Sequence, residues 1–128
     1  MKLFLDDIRM PEKVIGVGYT QWTIARTVAE AKRLIEAARA NHEPIEAMTL
    51  DHDLGACERC ILDDRAIPNE AWKMVMPYCS HVGTGMDFVQ WLIDTGVLND
   101  CHTKPVVHSM NPIGKALMMA AIDRHWIK

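Results

Sequence analysis

Three short apolar runs in this chain each stop at ionisable residues: KLFLDD at 2–7, IEAMTLD at 45–51 and KPVVHS at 104–109. Runs of this length, rich in Leu, Val, Ile and Phe, suit strands buried on both faces whose carboxyl ends open into polar surroundings. Between them lie helical patterns. Thr27 and Glu30 have the spacing of a capping box, and Val28, Ala31, Leu34, Ile35 and Ala38 then recur at helical spacing, so a helix is expected over about 28–40. WTIARTV, just before it, is a further candidate strand. In GTGMDFVQWLIDTG, Phe88, Val89, Leu92 and Ile93 share a face and Gly96 is a stop. A last helix starts at NPIGKALMMAAIDRHW, with Asn111 as cap and Pro112 in the first helical position.

Strands alternating with helices imply parallel pairing through right-handed crossovers, hence an α/β sheet covered on both faces. In such sheets ligands bind beyond the carboxyl ends of the strands, where the winding reverses. The polar residues of this chain fall there: Asp6 and Asp7 after the first strand, Asp51, His52 and Asp53 after the third, His108 and Ser109 after the fourth.

At 128 residues the chain is expected to be one domain spanning 1–128. A net charge of −3 supplies no general cationic field, so no extended duplex nucleic acid is expected as a partner. No run approaches the length of a membrane span, and the acidic DD after five residues does not suit a signal peptide. The expectation is therefore a cytoplasmic protein, with its cysteines in a reducing compartment and used for metal rather than for disulfides.

Asp6, Asp7 and Asp51 would bring three carboxylates into one crevice, a set of hard oxygen donors that suits Mg²⁺ or Mn²⁺. His52 and His108 can exchange protons near neutral pH, which suits general base and general acid roles in a phosphoester transfer, with Asp51 and Ser109 alongside them. Arg9, Ser109 and Asn111 form a candidate phosphate seat with the N-terminus of the last helix.

A second constellation lies in residues 54–83, which lack a sustained apolar period and read as an inserted loop, with a short helix expected around NEAWKMV. CERC at 57–60 and CSH at 79–81 are separated by 18 residues. Cys57, Cys60, Cys79 and His81 make a Cys₃His set suited to Zn²⁺, and four protein ligands leave no open position, so the zinc is expected to be structural. Cys101 and His102 are competing ligands of lower rank. Tyr78, Trp72 and Arg59 of the insertion are candidates for touching substrate.

The four blocks LFLDDIR, LDHDLG, GTGMDFVQWL and PVVHSMNP, in this order, resemble the cyclic-phosphate processing receiver domain family, a divergent branch of the response-regulator receiver fold. The resemblance implies a receiver-like (flavodoxin-like) doubly wound parallel sheet, truncated at the C-terminus, with the zinc-binding insertion added. Asp6 and Asp7, Asp51, and Ser109 match the receiver positions for the acidic pair, the phosphoaccepting Asp and the hydroxyl residue. A fifth strand ending in Lys has no counterpart, and His52 and His108 stand where ordinary receivers have apolar or variable residues. The implied activity is phosphoesterase-like processing of a cyclic phosphate, at the 2′,3′-cyclic end of an RNA or on a related cyclic nucleotide. Two alternatives are a non-catalytic sensor or sponge for such a ligand and a phosphoaccepting signalling receiver. The oligomeric state is left open.

Overall fold

A computed structural model of the chain describes residues 1–16, 18–67 and 79–128, with the side chain of Tyr19 left aside. Its elements in chain order are β1 (Lys2–Leu5), α1 (Pro11–Val14), a 3₁₀ turn (Tyr19–Gln21), β2 (Trp22–Ala25), α2 (Val28–Ala40), β3 (Ala47–Leu50), α3 (Glu58–Leu62), α4 (Gly85–Thr95), a 3₁₀ turn (Val97–Asp100), β4 (Val106–Val107) and α5 (Pro112–His125). The four strands form one parallel sheet in the order β2-β1-β3-β4. The winding reverses between β1 and β3, as in a doubly wound sheet.

The helix boundaries follow local chemistry. Thr27 caps α2 by accepting from the Glu30 N–H, while the Glu30 carboxylate reaches back to the N–H of Arg26. Thr84 and Asp87 form a reciprocal capping box at the start of α4, and Gly96, with φ of 79°, ends it in the left-handed conformation that a side chain disfavours. Asn111 caps α5 by accepting from Gly114 N–H, with Pro112 in the first turn.

The two sheet faces are covered differently. Leu3, Leu5, Ala25, Met48, Leu50 and Val107 join the main core together with Val28, Ala31 and Ile35 of α2, Phe88, Val89 and Leu92 of α4, and Met118 and Ile122 of α5. α2 packs on α4 and α4 on α5, so the three long helices form one layer. Right-handed crossovers require this, because β2→β3 and β3→β4 both move the same way across the sheet. Only β1→β2 moves the other way, and that connection carries just the four-residue α1 and a 3₁₀ turn. Among the described residues no long helix lies on the second face; Phe4 there is fully buried, whereas Val106 on the edge strand is 61% exposed.

The insertion contains a helix, α3, between its first two cysteines and beyond. A five-residue helix is too short to show a period, and its Ile61 and Leu62 are exposed rather than inward. The expected helix around NEAWKMV, with Trp72 and Tyr78, lies outside the described residues. No helix among the described residues is long and apolar enough to cross a membrane.

Candidate functional site

Strand periodicity builds the crevice. Leu5, Leu50 and Val107 are in register across β1, β3 and β4 and point into the helix layer. The next residue on each strand therefore points the other way, and these are Asp6, Asp51 and His108. The ladder continues through this rung, with Asp51 N–H donating to Leu5 O (2.9 Å) and His108 N–H to Leu50 O (3.0 Å). Ligand atoms of Asp6, Asp51 and His108 all lie within 4.8 Å of one another, close enough for one metal ion.

His108 is bonded at both ring nitrogens. Nδ1 is 2.8 Å from Thr49 Oγ1, Nε2 is 2.9 Å from Asp6 Oδ2, and the ring stacks on Phe4 at 4.9 Å between centroids. Asp6 is 1% exposed. Burial pushes its carboxyl up, but the bond from His108 and the backbone N–H groups of Arg9 (2.8 Å) and Ile8 (2.9 Å) outweigh that, and Asp6 stays below the usual carboxylate range. The Nε2–Oδ2 contact thereby ties His108 to Asp6 within the fold. The proton-transfer role expected of His108 thus falls on a ring whose two nitrogens are both engaged within the fold.

Asp7 is less supported, with its own backbone N–H as the opposing influence. Burial first, then the charges of Asp6, Asp51 and Asp53, raise it to about 6. Burial and the Asp6 charge likewise raise Asp51, against the opposing influence of His108, the His52 N–H and the Ser109 hydroxyl. Three crowded carboxylates of which two are pushed upward form a site short of positive charge. Arg9 supplies part of it: its guanidinium donates to His108 O (3.2 Å) and lies 4.0 Å from Asp6 Oδ2, with a third of the side chain still exposed.

The expected phosphate seat is largely occupied by internal bonds. Ser109 is buried, its Oγ accepting from Asn111 N–H (3.1 Å) while it bonds to Asp51. Asn111, 1% exposed, spends its side-chain oxygen on Gly114 N–H and donates from Nδ2 to Asp53 Oδ1 (3.3 Å). These two residues tie the β4–α5 turn to the end of β3.

His52, one residue beyond Asp51, is the second imidazole at the strand ends, and its ring packs on the start of α5. Its Nδ1 is 2.9 Å from Asp53 Oδ1, and among the described residues its Nε2 has no hydrogen-bond partner. The ring lies against Gly114, where a Cβ would come within 2.5 Å of Cγ. A second glycine is tighter still: a Cβ at Gly85 would meet the Asp51 carbonyl oxygen at 1.9 Å, and Gly85 N–H donates to His52 O. The start of α4 thus abuts the backbone of the site.

Sequence reading placed Asp53 at the strand end without giving it a role, and passed over Thr49 and Arg26. Arg26, one residue beyond β2, donates from Nη1 to the carbonyls of Asp6 (2.9 Å) and Arg9 (2.6 Å) and so fastens the loop after β1. Alternation along β3 would have placed Thr49 with Asp51; no local pattern identifies Arg26.

The sulfur cluster is separate. Cys57, Cys60, Cys79 and His81 lie close enough to bind a metal ion. Cys57 Sγ and Cys79 Sγ are 3.7 Å apart, and His81 Nδ1 is 3.1 Å from Cys60 Sγ and 3.6 Å from Cys57 Sγ. Cys79 is buried, which by itself raises its thiol, yet the backbone N–H groups of Cys57, Val82 and His81 aimed at it bring it down to about 6. The root of the insertion touches the crevice, since a Cβ at Gly55 would sit 3.1 Å from Asp7 Oδ2. Cys101 is buried in the main core and His102 is exposed, and neither joins the cluster. Arg59 is exposed on α3.

A four-stranded parallel sheet with helices, carrying carboxylates at the ends of its first and third strands, defines a receiver-like α/β protein. The sequence profile of the cyclic-phosphate processing receiver domain matches residues 1–124, and the chain belongs to that family. No curated protein and no solved structure gives a match.

Proposed function

We propose that the protein opens a cyclic phosphate, of the kind found at 2′,3′-cyclic RNA ends or in a related cyclic nucleotide, in the crevice at the carboxyl ends of β1, β3 and β4. The observation that carries this reading is the single rung that brings Asp6, Asp51 and His108 together, in a family named for cyclic-phosphate processing. The donor set fits a hard divalent cation such as Mg²⁺ or Mn²⁺, with Asp7 as a further carboxylate beside Asp6 and Asp51. When bound, such an ion offsets the carboxylates and polarises a phosphoryl oxygen.

The chain's own residues supply the rest. Asp6 is held by His108 and two backbone N–H groups, so it needs no rearrangement to act as a ligand. Arg9 uses the exposed part of its guanidinium to receive the phosphate. Water attacks phosphorus and gives its proton to His52 Nε2; as the new P–O bond forms, a ring P–O bond breaks and the freed sugar oxygen takes a proton from solvent at the crevice mouth. Ser109 and Asn111 serve by holding the β4–α5 turn.

The ion of the sulfur cluster is, in this reading, structural Zn²⁺. Around a tetrahedral zinc with Zn–S bonds of about 2.3 Å, sulfurs stand about 3.8 Å apart. The Cys57–Cys79 separation of 3.7 Å agrees.

The test is incubation of the purified chain with 2′,3′-cyclic mononucleotides and a cyclic-phosphate-ended RNA oligomer, followed by phosphorus NMR. Ring-opened phosphomonoester is expected with Mg²⁺ or Mn²⁺. Recovery of unchanged ligand that nevertheless binds tightly would assign the crevice to sensing instead, and neither binding nor turnover would end the proposal.

A further inference from the structure

Of the two imidazoles at the strand ends, only His52 keeps a nitrogen without a partner among the described residues. Its surroundings fix it from three directions. Asp53 Oδ1 lies 2.9 Å from Nδ1; Asn111 Nδ2 donates to that same carboxylate oxygen from 3.3 Å; and the ring rests on Gly114, where there is no room for a Cβ. His52 and Asp53 side chains are each 14% exposed, so the pair is sheltered without being fully buried. A carboxylate is an acceptor only, so a neutral imidazole facing it carries its hydrogen on Nδ1 and leaves the Nε2 lone pair free.

We propose that Asp53 is the positioning residue of the reaction: it sets His52 in the Nδ1–H tautomer, so that Nε2 is the atom that accepts the proton from the attacking water. This rests on the reading of the crevice as a cyclic-phosphate site. Asn111 and Gly114 are parts of the same device, one steadying the carboxylate and the other giving the ring a flat seat. The helix cap at Asn111 therefore has two duties, because the side chain that starts α5 also holds Asp53. Asp51 and Asp53 are separated by one residue yet act differently. Asp51 stands on the ligand rung with Asp6, whereas Asp53 stands behind His52.

The experiment uses the full chain labelled with ¹⁵N-histidine, in buffer alkaline enough to keep imidazoles neutral, and reads the His52 tautomer from long-range proton–nitrogen correlations. Wild type is expected to show Nδ1–H. Asp53→Asn keeps an acceptor oxygen and should keep that tautomer, whereas Asp53→Ala should shift it toward Nε2–H. Against a 2′,3′-cyclic mononucleotide, Asp53→Ala should lower kcat on the order of 10²-fold with KM nearly unchanged, and Asp53→Asn should lose less. An Nε2–H tautomer in wild type, or an unchanged tautomer in Asp53→Ala, overturns the proposal. If Asp53→Ala does not fold, the wild-type tautomer decides alone. Absence of turnover by wild type would defeat the cyclic-phosphate reading, while the tautomer measurement would still judge the role of Asp53.

Discussion

The sulfur cluster and the carboxylate crevice are neighbours joined at Gly55, but they are assembled in opposite ways. The cluster draws all four ligands from 25 consecutive positions, 57–81, with Cys57 at the N-cap and Cys60 on the first turn of α3. The crevice draws Asp6 and His108 from positions 102 residues apart and depends on the register of three strands. In the cluster, backbone N–H groups gather on one sulfur. In the crevice, the side chains of Asp6, His108, Ser109 and Asn111 are engaged with neighbouring groups, and burial and like charges weigh on Asp7 and Asp51. A local cluster of ligands can assemble around an ion, whereas a long-range site exists only once the sheet does.

The largest effect should come from the clamp. Stripping metal with a strong chelator, or Cys79→Ser, is expected to cost several kcal/mol and to release amide protection over 54–67, because ligand binding and folding of such a loop are one event. Hydrogen exchange would check it, and protection in β1 and β3 should persist. Loss of protection throughout the sheet would erase the distinction between the two regions.

His108→Ala should be next, at about 3 kcal/mol, since it leaves the nearly buried Asp6 carboxylate without its principal partner. Denaturant unfolding would measure this, and a loss below about 1 kcal/mol would mean that the His108–Asp6 bond does not organise the crevice.

Asp7→Asn should act in the opposite direction and least. The folded-state value of Asp7, about 6, lies above its ordinary 3.8, so the folded protein binds the extra proton between those values. The stability so gained is full below the unfolded value and is lost as pH rises through about 6. Above that pH the ionised carboxylate is a burden, and Asp7→Asn should be more stable than wild type by about 1 kcal/mol after allowance for solvent screening. The advantage should vanish at pH 4. It should also shrink when Mg²⁺ or Mn²⁺ is added, which would show that the crevice and not the clamp takes the hard ion.

Much of the fold was legible because its signals are local. The capping residues Thr27, Thr84 and Asn111, the stop at Gly96, and the three apolar runs ending in acid or histidine all sit in the structure where their chemistry predicts. α3 escaped notice because five residues with exposed apolar side chains carry no period. Strand–helix alternation predicts a sheet covered on both faces; the order β2-β1-β3-β4 puts every long helix among the described residues on one. Within the site, the strand-end positions of Asp6, Asp51 and His108 could be read in advance, but not the closed bonding of His108, Ser109 and Asn111.

The sequence by itself determined which atoms are available: carboxylates and imidazoles at strand ends, thiolates at metal-binding spacing. Residue type and near-neighbour spacing suffice for that, as they do for the division between hard and soft ligands within LDHDLGACERC. The tertiary structure alone decided which of those atoms are already engaged. Thr49 takes one nitrogen of His108 and Asp6 the other, while Asp53 and Gly114 seat His52 with one nitrogen free among the described residues. Hydrogen-bond partners 50 or 100 residues away leave no trace in local pattern, because only the closed sheet brings them within 3 Å.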